Sequence, residues 1–270
     1  MPHISVRSRK VYYELHGDHD GIPLLLVMGM AGSCKGWLPL QVPAFSQRRR
    51  TLIFDHRGVG GSEGSDAALS IAGMANDTVG LLDALEIEKA DILGVFMGGM
   101  VAQEMALRHS ERVHRLVLCG TYARADAKRR MLLQQWRELA QQGASIEVMV
   151  RERLLWTLQD ETLEQADLID QMLTFFARDG APLSEEVFAD QCKACIEHDT
   201  ADRLHEIDHP TLVLCGRKDR LTPPALHREL ADGIRNAHMV TVQYGAHLVM
   251  AESAERFNQV VLQFLADTQP

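Results

Sequence analysis

The chain has 270 residues, 46% of them hydrophobic and 24% charged, which is the composition of an ordinary globular protein with enough length for a sizeable core. Its formal charge of -9 excludes nucleic acid and anionic membranes as expected partners, because both repel an acidic chain. Five cysteines, an odd number in a chain of this size, fit free thiols better than a disulfide framework. The segment Met1–Lys10 has no apolar core of a signal peptide, and the longest apolar run, near Ile22–Ala31, is too short to span a bilayer. A cytoplasmic chain is therefore expected, built as one domain or as one domain with a large insertion.

His3–Arg7 and Lys10–His16 alternate apolar with polar residues and read as a hairpin turning at Ser8-Arg9. After the turn Gly17–Gly21, the run Pro23–Met28 is continuously apolar, as in a strand buried on both faces. It ends in the glycine-rich loop Gly29-Met30-Ala31-Gly32-Ser33. A further strand, Arg50–Asp55, is followed by His56-Arg57-Gly58-Val59-Gly60-Gly61-Ser62. Ser70–Leu85 has helical periodicity through Ile71, Met74, Leu82 and Leu85. Ala90–Val95 reads as the central strand. It runs through Gly94-Val95-Phe96-Met97-Gly98 into a helix, Met97–His109, striped by Met97, Met100, Val101 and Met105. Arg115–Cys119 is another buried strand, and the alternation of strands with helices calls for a parallel α/β sheet.

From Tyr122 to His205 no strand pattern appears. Four helical segments are expected instead, Asp126–Gln141, Ser145–Leu158, Thr162–Arg178 and Ser184–His198, separated at Gly143, Gln159-Asp160 and Asp179-Gly180. This divides the chain into a core, residues 1–121 and 206–270, and a helical cap, residues 122–205. Strands resume at Pro210–Cys215 and His238–Gln243, and Ser253 stands as the expected cap of a last helix carrying Phe257, Val260, Val261, Phe264 and Leu265 on one face.

Ligands of a parallel sheet bind at the carboxyl ends of its strands. Those ends carry Gly29-Met30-Ala31-Gly32, Phe96-Met97, Gly216-Arg217-Lys218-Asp219 and Gly245-Ala246-His247. A glycine-flanked strand–turn–helix, then an acid, then a histidine is the chain order of one hydrolase fold. On these residues the sequence resembles the α/β-hydrolase family over nearly its whole length. Gly94–Gly99 looks like its nucleophile elbow, Phe54–Ser62 is similar to its turn after the fourth strand, and Glu252 and Phe257 fit the segment after its histidine. The resemblance is to the small ester and lactone hydrolases, including enol-lactonases and bromoperoxidase-like proteins. It implies a mostly parallel eight-stranded sheet with flanking helices and a helical lid. It also implies Asp219 as the acid, His247 as the base, and the amides of Met30 and Met97 as the oxyanion hole, with no cofactor.

The expected nucleophile position holds Phe96. A phenyl ring has neither a lone pair to attack a carbonyl nor a proton for His247 to remove. Three readings follow: an ester or lactone hydrolase whose nucleophile has been replaced, a His247/Asp219 base catalyst of the lyase or cofactor-free oxygenase kind, and a ligand-binding pseudoenzyme. Met28, Gly29, Trp136 and Trp156 are expected at the substrate. The apolar cap residues Trp136, Leu154, Leu155, Trp156, Phe175 and Phe176 point to an uncharged or partly apolar small molecule. Homo-oligomerisation stays open. Cys192-x-x-Cys195 with His198 lacks a fourth ligand for a metal, and Cys34, Cys119 and Cys215 lie at strand ends without an elbow. Asp55 and Arg57 read as structural.

Overall fold

The longest uninterrupted apolar runs form the middle of one sheet. In the computed structural model, which describes residues 2–64, 68–178 and 184–266, β3 (Leu24–Val27) and β4 (Thr51–Phe54) are buried at every position. So are β5 (Ala90–Val95) and β7 (Thr211–Gly216). Burial on both faces is what helices packed on each side of a parallel sheet produce. With β1 (His3–Val6), β2 (Arg9–His16), β6 (Val113–Cys119) and β8 (Ala237–Val242), they make an eight-stranded sheet of order β1-β2-β4-β3-β5-β6-β7-β8. Strand β2 runs antiparallel to both β1 and β4, and the remaining pairs are parallel.

The β1–β2 turn sits at Arg7-Ser8, one residue before the expected place. Both residues have positive φ, 48° and 67°, the geometry that matches the twist of a two-residue hairpin. Helix α1 (Gln41–Phe45) is a short addition not read in the sequence. Helix α2 (Ile71–Ala84) buries Ile71, Met74 and Leu82, capped by the Ser70 hydroxyl accepting from Gly73 N. Helix α3 (Met97–Arg108) is more deeply placed than a one-sided stripe predicts, since every residue from Met97 to Ala106 is buried.

Between β6 and β7 lie α4 (Ala127–Gln141), α5 (Ile146–Thr157), α6 (Asp160–Leu163), α7 (Ala166–Arg178) and α8 (Glu185–Glu197). The segment expected as one helix from Thr162 starts two residues earlier and breaks after Leu163. The cause is local. The Thr162 hydroxyl and the Gln159 amide both donate to Glu252, which fixes this turn to the core and lets α7 leave in a new direction. The expected break at Asp179-Gly180 lies outside the described residues. Helix α9 (Pro224–Gly233) was not anticipated, although Pro224 at its first turn is a helix-start signal. The last helix is split into α10 (Val249–Glu252) and α11 (Ala254–Ala266), and the Ser253 hydroxyl donates to the Tyr244 carbonyl. Helix α11 buries Phe257, Val260, Val261 and Leu265 against the sheet. Among the described residues no helix is long and apolar enough to cross a membrane.

Candidate active site

At the end of β5 the chain reverses through Phe96, whose φ of 56° and ψ of -121° are rarely adopted by a residue with a side chain. Such a conformation costs on the order of 1–3 kcal/mol and persists only when its surroundings impose it. Here they do. A Cβ on Gly98 would strike the Val27 carbonyl, and one on Gly94 would strike the Gly98 carbonyl, so the helix crosses the strand ends at backbone contact. The Phe96 amide donates to the Cys119 carbonyl at 2.9 Å, and its own carbonyl accepts from Gly99 N at 3.1 Å. The sequence therefore builds a sharp elbow and places residue 96 at its apex.

Two loops from the far half of the sheet bring the acid and the histidine together. Asp219 is 4% exposed and lies three residues beyond β7. Its carboxylate accepts the Thr222 amide and the Thr222 hydroxyl, each at 2.7 Å, and Nδ1 of His247 at 2.9 Å. Burial alone would raise the Asp219 carboxyl. The attraction and hydrogen bond of His247, with Thr222 and the nearby His227, outweigh it and hold the group below the usual carboxylate range. Because the carboxylate accepts, the His247 proton belongs on Nδ1, which leaves Nε2 as the free basic nitrogen. Among the described residues no protein group hydrogen-bonds Nε2, and His247 lines a large cavity.

The histidine loop is anchored to the inserted helices. Glu252 accepts the Ala246 amide at 2.6 Å, the Gln159 amide at 2.9 Å and the Thr162 hydroxyl at 2.7 Å. Leu248 N donates to the Thr157 carbonyl at 3.0 Å. Neither this role of Glu252 nor that of Thr222 was read from the sequence. The Asp219-x-x-Thr222 spacing, which lets a side-chain oxygen accept an amide three residues on, is the signal for Thr222.

The Phe96 ring is stacked on the His247 imidazole, centroids 4.1 Å apart. Its two edges meet glycine backbone. A Cβ on Gly120 would lie 2.7 Å from Phe96 Cδ1, and one on Gly29 would collide with the same ring. The amides of Met30 and Met97 flank the elbow and donate to no protein acceptor among the described residues. Uncommitted amides beside a buried site are uncommon, and two at one cavity make a donor pair available to an incoming oxygen.

The cavity above has a volume of about 500 Å³, within the usual range for a small-molecule site. Met28, Gly29, Met30, Phe96, Met97 and Trp136 all line it, as do Leu154, Phe175 and Phe176. Trp156 and Leu155 do not. Leu154 faces inward, and the next two positions of α5 rotate away by roughly 100° each. Leu155 is exposed, and Trp156 donates to Glu152 and sits under the Lys128 ammonium. The thiols of Cys34, Cys119 and Cys215 are pushed up by burial and do not line the cavity. Cys192 donates to the Met30 sulfur at 3.7 Å, and no cluster of three or more His, Cys, Asp or Glu that could hold a metal occurs among the described residues.

Comparison with known proteins identifies the family of the fold. A family model described as the alpha/beta hydrolase fold matches residues 22–254. The chain belongs to the α/β-hydrolase family. It is 32% identical to the putative carbamate hydrolase RutD of Azorhizobium caulinodans, over 99% of both chains. It is 30% identical to the putative non-heme bromoperoxidase BpoC of Mycobacterium tuberculosis, over 95% of this chain and 98% of the relative. Among solved structures, the enol-lactonase from Burkholderia xenovorans LB400 superposes with a TM-score of 0.89 at 28% identity, covering 98% of this chain and 100% of that one. The α/β-hydrolase sheet order and the strand-end positions of Phe96, Asp219 and His247 are thus observed together in one chain.

Proposed function

We propose that this α/β-hydrolase binds a small carboxylic ester or lactone under a cap formed by residues 122–205, and that Phe96 occupies the nucleophile position, so the chain as written forms no acyl-enzyme. The observation that supports this best is the Asp219–His247 pair, joined at 2.9 Å, with its free nitrogen at the cavity and the elbow residue packed on the ring. A serine hydroxyl at position 96 would attack the carbonyl carbon while its proton passes to His247 Nε2. That proton would then go to the leaving oxygen as the tetrahedral carbon collapses, and water would repeat the two steps on the acyl-enzyme. Asp219 would hold the imidazole in its Nδ1–H tautomer and stabilise the imidazolium. The amides of Met30 and Met97 would receive the oxyanion, each worth about 3 kcal/mol in the transition state. The activities named for two similar proteins, putative carbamate hydrolase and enol-lactonase, are both cleavages at a carbonyl carbon, which supports this reading.

The test is Phe96→Ser assayed on short-chain nitrophenyl esters and on simple lactones. Hydrolysis at least about 10³-fold above the parent chain is expected. No gain in a folded variant would overturn the reading. One observation favours a second reading. Phe96 covers one face of His247, and Gly29 and Gly120 accommodate its ring, as in a pocket settled for binding alone. That reading expects ligand binding by the unmodified chain that survives His247→Ala. A nucleophile-free base catalyst expects turnover by the unmodified chain that His247→Ala abolishes.

A further inference from the structure

Two arginines reach the wall of the cavity, and their situations differ. Arg129 is fully engaged. Its Nε and Nη2 donate to the two oxygens of Asp126 at 2.7 and 2.6 Å, and its Nη1 donates to the Leu221 carbonyl at 2.9 Å. Arg153, on α5, has no carboxylate partner among the described residues. Its Nε donates to the Met149 carbonyl at 3.3 Å, and its guanidinium lies over the Phe188 ring at 5.5 Å. Among the described residues no acceptor engages its Nη groups, and no Asp or Glu lines the cavity.

A cation in an apolar wall is costly unless something pairs it. Burial has drawn the Arg153 guanidinium down to about 10, so it remains charged at neutral pH. Arg153 lines the cavity with its guanidinium over the Phe188 ring, and with Nε given to the Met149 carbonyl its two Nη groups are the donors left to take a carboxylate. The position is also suited to the site. The Thr157 carbonyl is bonded to Leu248, next to His247, and Arg153 lies four residues earlier on the same helix. That places its Cα about 6 Å further along the helix axis.

We propose that Arg153 is an anion-binding residue of the substrate site, and that the ligand is a small ester or lactone carrying a free carboxylate several bonds from its reactive carbonyl. This replaces the expectation of an uncharged substrate. It rests on the proposed function for the identity of the reactive carbonyl, but the carboxylate subsite is tested by binding alone.

The experiment is calorimetric titration of the unmodified chain with paired probes, the monomethyl and the dimethyl esters of succinic, glutaric and suberic acids. The monoester of at least one acid should bind about tenfold or more tightly than its diester, corresponding to roughly 1.4 kcal/mol. Arg153→Met should remove that preference with diester affinity little changed, and Arg153→Lys should retain part of it. Equal binding of monoester and diester by the unmodified chain, undetectable binding of both, or a preference that persists in Arg153→Met, would overturn the proposal. The unmodified chain decides the first two outcomes even if a variant fails to fold. The two readings separate cleanly. A carboxylate preference in a protein whose Phe96→Ser variant stays inactive keeps the anion subsite and removes the hydrolase reading. An active Phe96→Ser variant with no carboxylate preference does the reverse.

Discussion

The aromatic ring of Phe96 lies 4.1 Å from the imidazole of His247, centroid to centroid, with the planes inclined by 21°. This contact replaces the hydrogen bond that a hydroxyl at the elbow would make with Nε2. The acid–histidine pair stands beside it, because Asp219 and Thr222 meet the imidazole at Nδ1 while the phenyl ring covers its face. The geometry therefore separates into a hydrogen-bonded Asp219–His247 pair and an elbow position filled by a ring, which on the proposed function is the place of a nucleophile.

That separation predicts how the pair behaves once a nucleophile is supplied. In the Phe96→Ser protein, Asp219→Asn should lower kcat about 10⁴-fold with a small change in KM, because the amide stabilises the wrong imidazole tautomer. Steady-state kinetics on one ester give both numbers. A loss confined to KM would mean that Asp219 shapes binding and does not orient the base. Phe96→Ser should also cost about 1–3 kcal/mol of stability, since a partly buried ring is lost while the strained backbone remains. Urea unfolding measures this.

Gly120 makes room for the Phe96 ring. Its φ of 61° disfavours any side chain, and an added Cβ would lie 2.7 and 2.8 Å from two ring carbons. Gly120→Ala should therefore destabilise the parent by about 1 kcal/mol from the backbone and a further 1–3 kcal/mol from overpacking. In the Phe96→Ser background the backbone part should remain, with a small steric remainder from His247 Cε1, which the added Cβ would meet at 3.2 Å. A double-mutant cycle read by urea unfolding should give a coupling above about 1 kcal/mol, whereas additive costs would show that the ring can move aside.

Acid stability should depend on histidines buried neutral. His198 and His227 are both held down to about 4, first by burial. The His227 Nε2 accepts the Thr121 amide at 3.3 Å, so protonation there would remove an acceptor as well. In the unfolded chain these groups titrate near 6.5, above their folded values. Between about pH 6.5 and 4 the unfolded state then binds more protons, so stability falls as pH falls, by about 1.4 kcal/mol per pH unit for each histidine. Asp219, whose folded carboxyl is depressed, contributes stability above the usual carboxylate range and loses it on further acidification. Thermal unfolding from pH 8 to 4 should show Tm dropping below about 6.5, and His227→Gln should flatten the drop. An unchanged slope would mean that His227 titrates near its unfolded value.

The parts of this architecture that depend on short-range patterns were legible in the sequence. Leu24–Val27 and Ala90–Val95 are apolar without interruption because both faces are covered, and Gly94 and Gly98 mark backbone contact that no side chain could tolerate. The strand-end loops followed from the parallel topology. The inserted helices were less legible, because their orientation depends on partners distant in sequence. The break between α6 and α7 comes from Glu252, some ninety residues away by the Thr162 contact. Leu155 and Trp156 are as apolar as Leu154, and only the rotation of α5 against the core separates wall from exterior. Arg153 sits in a run with Glu147, Arg151 and Glu152, where a solvated charge is the default, so its place on the cavity wall had no local signal.

Glu252 joins what the topology keeps apart. One carboxylate accepts the amide before His247 and two donors at the start of α6, so it ties the histidine loop to the inserted helices alongside the Leu248–Thr157 hydrogen bond. Glu252→Gln keeps the size and shape but replaces one accepting oxygen with an NH₂ group. The amide can then face either Ala246 N or the Gln159 and Thr162 pair, and at least one donor is left unmatched. Because removing an acceptor from a buried donor costs about 1–3 kcal/mol, the variant should unfold at lower urea by that amount. The functional consequence should be separable from the structural one. In the Phe96→Ser protein, Glu252→Gln should lower kcat by roughly tenfold as His247 loses its fixed position, and limited proteolysis should cut between α5 and α7 sooner than in the parent. If stability falls while kcat and the cleavage pattern stay the same, Glu252 holds the fold and leaves the site alone.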